Sequence, residues 1–144
     1  MRIHQSVFAR IFVFATIAFA LSLAFVAVRV NASTVSECQA LIAALRTDTE
    51  SVVIVGKNAE KNRAGLVSKL DGASVSLDRV KLCDALRKLT DYRNKVNQLI
   101  VSGSINADPA VGVTGQDLVN GADEAIACVQ SLVAQSGGTC PVTE

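Results

Sequence analysis

From Thr34 onward, apolar residues return every three or four positions, the spacing that gathers them on one face of a helix. A first helix is predicted from about Thr34 to Val55, with Val35, Cys38, Leu41, Ile42, Leu45, Val52 and Val55 on one stripe. Thr34 and Glu37 have the T-x-x-E spacing of a capping box, and Gly56 supplies a stop. The β-branched run Val52-Val53-Ile54-Val55 has strand propensity. It is assigned to the helix because nothing nearby in sequence offers a pairing partner.

A second helix is predicted from Asn58 to about Ser76, turning Ala59, Leu66, Val67, Leu70, Ala73 and Leu77 inward. Gly65 and Gly72 each weaken it by about 1 kcal/mol relative to alanine, so either packing compensates or a neighbouring element approaches closely there. A third helix starts near Asp78, an N-cap residue type, and runs to about Val101. Its core spacing takes Leu82, Ala85, Leu86, Leu89, Tyr92, Val96, Leu99 and Ile100, which makes Tyr92 a packed ring with its hydroxyl at the rim. Ser102-Gly103 ends it, and Asp108-Pro109 and Gly112 mark the loop from Ser104 to Val113. The fourth helix opens on Thr114-Gly115-Gln116-Asp117, a capping-box variant, and closes at Gly137-Gly138. Four helices on short connections predict an all-α, up-down antiparallel four-helix bundle.

The cysteines sharpen that picture. Cys38 begins the first helix, Cys83 begins the third, Cys128 falls near the end of the fourth, and Cys140 follows in the tail. An up-down bundle brings all four to one end, where they are expected to form two disulfides. Three pairings are possible.

The first 32 residues carry a different signal. MRIHQSVFAR supplies Arg2 and Arg10, and an uncharged apolar run follows from Ile11 to Val28. That is the order of a signal peptide, with cleavage expected after Ala32 in Val30-Asn31-Ala32. The alternative is an uncleaved anchor, since a run of 18 residues approaches the length that spans a bilayer. Residues 33–144 would then be a single four-helix domain, secreted, periplasmic or held at the cell surface.

Removing residues 1–32 takes three bases and no acid, leaving 11 bases against 13 acids, a net charge of −2. A general nucleic-acid binder is disfavoured on that balance. The only histidine, His4, leaves as well, which excludes a Ser-His-Asp triad, a Cys-His pair or a histidine metal site in what remains. Asp108, Asp117 and Asp123 lack the alternating spacing of a calcium loop. No cofactor and no catalytic residue is expected.

Charge is uneven along the chain. Ten bases and five acids lie between Lys57 and Lys95, whereas Val96 to Glu144 holds five acids and no base. One reading lays the basic third helix beside the acidic fourth along a solvated seam. The other makes Arg79, Arg87, Lys88, Arg93 and Lys95 a surface for an anionic glycan or lipid.

The residues Lys69-Leu70-Asp71, Ala73, Leu77, Ala85, Leu89, Tyr92, Asn94, Val96, Leu99-Ile100, Gly103 and Ile105 resemble the FIMAH domain, a small helical module of bacterial extracellular proteins. Asp117-Leu118-Val119-Asn120-Gly121-Ala122 resembles that family's last helix. The resemblance covers roughly Leu66 to Val129 and implies a helical accessory module without established activity; the cysteines depart from the family's pattern. Plant pectin methylesterase and invertase inhibitors offer an architectural analogy, as exported four-helix bundles with four cysteines. Their closely spaced N-terminal cysteine pair has no counterpart here.

The expected function is a non-catalytic, exported helical module that binds an extracellular protein or an anionic glycan or lipid surface. An inhibitor of an extracellular hydrolase, a structural surface protein anchored by residues 11–28, and an enzyme with a perturbed lysine or carboxylate in a cleft are the alternatives. A membrane partner is expected only if the N-terminal segment is retained.

Overall fold

The computed structural model describes residues 33–141; the expected signal peptide, residues 1–32, lies outside them. Four helices follow one another: α1 (Val35–Ser51), α2 (Ala59–Asp78), α3 (Leu82–Val101) and α4 (Gly115–Gln135), with a 3-10 turn at Pro109–Val111 before α4. Helix α1 packs on α2 and α4, and α3 packs on the same two. Leu66, Leu70, Leu77, Leu89, Tyr92, Leu118 and Val129 fill the centre and are fully buried. The fold is the expected disulfide-stapled four-helix bundle.

Both capping boxes form. The Glu37 amide donates to the Thr34 hydroxyl and the Thr34 amide to the Glu37 carboxylate; Thr114 and Asp117 repeat the exchange at α4. Each box satisfies two amides that a helix start leaves without partners. Gly115, next in line, is required by close approach, because a Cβ there would lie 2.7 Å from side-chain carbons of Ile100 and Ile105.

Two expectations need correction. Helix α1 stops at Ser51, and Val52 to Val55 is extended. Val52 and Ile54 are buried while Val53 and Val55 are exposed, the alternation of a strand. The missing partner is Ile105, which pairs antiparallel with Ile54. The Val55 amide donates to the Ser104 carbonyl and the Asn106 amide to that of Val53. Strand propensity prevails because the chain returns with a partner some fifty residues later.

The second correction concerns Asp78, which ends α2 and does not cap α3. Its carboxylate accepts from the Gln39 amide at 2.9 Å instead. Helix α3 starts at Leu82. Helix α2 closes with a Schellman pair, Lys81 N–H to Ser76 O and Val80 N–H to Leu77 O, both 2.8 Å. Helices α3 and α4 close the same way on Gly103 and Gly137, at φ of 65° and 68°. In α2 that left-handed position is occupied by Val80, at φ 55° and 70 % exposed. A β-branched residue is strained in that region, on the order of 1–2 kcal/mol.

Candidate functional site: the cleft between α2 and α3

All four cysteines meet at the end of the bundle where α1 starts. Cys38 bonds to Cys128 and joins α1 to α4; Cys83 bonds to Cys140 and ties the tail to the start of α3. The first bridge is buried and the second lies at the surface. Two disulfides in so small a domain belong to an oxidising, extracellular type of environment. Among the described residues no helix is long and apolar enough to cross a membrane.

The five candidate bases separate into different environments. Arg93 reaches across from α3 to Asp123 of α4 at 2.8 Å, an ion pair along the expected seam. Arg87 lies 3.7 Å from Asp84, one turn back. Arg79 and Lys88, together with Lys81, line a cleft of about 510 Å³ between the C-terminal half of α2 and the N-terminal half of α3. None of those three has a carboxylate within 4 Å among the described residues. Lys95 has none either, and at seven residues from Lys88 it continues the same face of α3 away from the cleft.

The cleft also carries Asp71 and Asp84. Arg46 holds one oxygen of Asp71 at 3.0 Å, and Arg87 approaches one oxygen of Asp84. The other oxygen of each receives no protein hydrogen bond among the described residues. Val75, half exposed, supplies an apolar wall.

Other residues with candidate chemistry serve the fold. Tyr92 is wholly buried, so it offers no stacking surface, and its hydroxyl is not at the rim as expected. It lies 2.7 Å from the Thr49 hydroxyl, which itself donates to the Leu45 carbonyl. Burial pushes the phenol up to about 12, against the opposing effect of the Thr49 hydroxyl, and the charge of Asp48 adds to the rise. Asp117 is held below the ordinary carboxylate range by the Thr114 hydroxyl and amide. Asp108 caps the 3-10 turn through the Ala110 amide. Among the described residues no group of three or more histidine, cysteine, aspartate or glutamate side chains is placed to hold a metal, and no buried side-chain nitrogen or oxygen lacks a partner.

No family model, curated protein or solved structure matches this chain. The functional reading therefore rests on the geometry. Sequence reasoning named Arg79 and Lys88 but passed over Lys81, although its spacing of seven from Lys88 was a usable signal. Val75 and the exposed oxygens of Asp71 and Asp84 gave none, because residues on separate helices come together only through packing.

Proposed function

We propose that the protein is a non-catalytic, exported binding module whose contact face for an anionic partner is the α2–α3 cleft. The observation that carries this reading is the collection of Arg79, Lys81 and Lys88 in one concavity with no carboxylate within 4 Å among the described residues, while Arg87 is paired with Asp84 and Arg93 with Asp123. Cations left unpaired in a concave surface raise the local concentration of anions. The two disulfides fit secretion and a surface or extracellular location.

Charge reversal tests the assignment. With both disulfides formed, the protein should bind an acidic polysaccharide such as polygalacturonate in a salt-sensitive manner. Arg79→Glu with Lys81→Glu should remove that binding, whereas Lys57→Glu with Lys61→Glu, the same change of charge outside the cleft, should leave it nearly intact. Equal loss in both variants would assign the effect to net charge and overturn the cleft as the contact face. Salt-resistant capture of one hydrolase, with no polysaccharide bound, would favour the inhibitor reading.

A further inference from the structure

Gly72 sits in the middle of α2, where glycine is a poor helix residue. A Cβ at Gly72 would lie 3.1 Å from Nζ of Lys88, 3.2 Å from Cδ and 3.3 Å from Cε. The lysine stem therefore crosses α2 in the space that a side chain would fill, and its ammonium is laid into the cleft. Gly65, two turns earlier in the same helix, meets nothing within 4 Å. The two glycines share a helix and differ in whether a cation rests on them.

The remaining groups of the cleft restrict what that ammonium can bind. A uniformly anionic surface, such as a membrane or a nucleic-acid backbone, would bring its charges against Asp71 and Asp84 as well as against the three bases. A sugar acid fits the mixture better. Its carboxylate takes the Lys88 charge, its hydroxyls donate to the unoccupied oxygens of Asp71 and Asp84, and the C–H face of its ring lies on Val75, with Arg79 and Lys81 left for the next acidic unit. A neutral sugar would leave the cations without partners, and a fatty acid would leave the carboxylates without donors.

We infer that the α2–α3 cleft is a subsite for one acidic saccharide unit, a uronate, with Lys88 as the central ligand and Gly72 as the position that seats it. This inference rests on the binding-module reading above and specifies its ligand. The carboxylate of the sugar pairs with Lys88, and a longer uronate chain continues past Arg79 and Lys81 at the end of α2. No bond is made or broken.

The test uses purified protein with both disulfides formed, titrated calorimetrically with a galacturonate oligomer and with the neutral galactose oligomer of the same length. Vesicles of phosphatidylglycerol and phosphatidylcholine form a third arm. Binding of the uronate oligomer alone is expected. Lys88→Met keeps the stem and removes the charge, and should weaken binding about tenfold, the size of one lost charge-assisted contact. Gly72→Leu evicts the lysine and should weaken binding as much, while Gly65→Leu, equally improved as a helix residue, should bind as the unaltered protein does. Circular dichroism of the pair confirms that both remain folded.

Equal binding by the Gly72→Leu and Gly65→Leu variants would overturn the seat, and equal binding of the neutral oligomer would overturn the uronate. Vesicle binding without uronate binding would also overturn this inference while sparing the broader anion-binding reading. Failure of all three probes would remove both.

Discussion

The end of the bundle where α1 begins is closed by two disulfides, whereas the end where α1 stops is closed by hydrogen bonds and the apolar packing of Val52, Ile54 and Ile105, without a crosslink. At the second end Ile54 pairs with Ile105, and the Arg63 guanidinium donates to the carbonyls of Thr49 and Glu50. Asn106 ties its loop together through Asp108 and Val113. Several carbonyls there accept from side chains of the fold, Lys57 and Lys61 stand apart from any carboxylate among the described residues, and the turn into the α3–α4 connection uses Gly103 where a positive φ is needed. The stapled end is less economical. It keeps a strained, exposed valine at the α2 turn and gathers into one cleft three bases with no carboxylate partner among the described residues, features that contribute nothing evident to stability. On the reading proposed above, an anionic ligand would account for the three bases.

The largest effect that would sharpen this contrast is loss of the buried bridge. Replacing Cys38 and Cys128 by alanine removes a crosslink spanning 90 residues between two helices, and should cost about 4–5 kcal/mol in urea unfolding. The Cys83–Cys140 bridge spans 57 residues, yet it holds a short tail that regains freedom in the folded state once released. Its removal should cost about half as much, on the order of 2 kcal/mol. Equal costs would mean that the tail is held by more than its sulfur.

Tyr92→Phe probes the interior nearer the hydrogen-bonded end. Loss of the Thr49 contact should cost about 1 kcal/mol at neutral pH. The phenol has a folded-state value raised to about 12 from an ordinary 10. The folded protein therefore holds the proton more tightly, and this contribution is full below pH 10 and lost as the pH rises toward 12. The difference between the two proteins in unfolding free energy should shrink from pH 10 and reverse in favour of phenylalanine before the middle of that window. A constant difference from pH 8 to 12 would place the hydroxyl in contact with solvent.

Val80→Gly should have the smallest effect and the opposite sign. Relief of the left-handed strain, offset in part by the flexibility of glycine in the unfolded chain, leaves a gain of about 0.5 kcal/mol. Destabilisation instead would show that the valine side chain packs against something in the folded protein.

Much of the architecture was readable from local rules. Capping boxes at Thr34 and Thr114, glycine stops at Gly103 and Gly137, and helical spacing of the apolar residues each depend on neighbours a few positions away. The cysteine heights added one long-range fact, that all four meet at one end. What escaped was non-local. Val52 to Val55 needed Ile105 as a partner, Asp78 was claimed by Gln39 of another helix, and Tyr92 found Thr49 across the core. The cleft was half legible: Arg79 and Lys88 stood out as bases, but that Gly72 lies beneath Lys88 while Gly65 lies beneath nothing is decided by how α2 and α3 pack.

The most direct measurement is a map of backbone amide shifts as a galacturonate oligomer is added to the disulfide-bonded protein at low salt. The account predicts that the shifts gather between Asp71 and Lys88, at the stapled end, and fade as salt is raised. Shifts gathered instead around Val53, Val55 and Asn106, or no shifts at all, would contradict it.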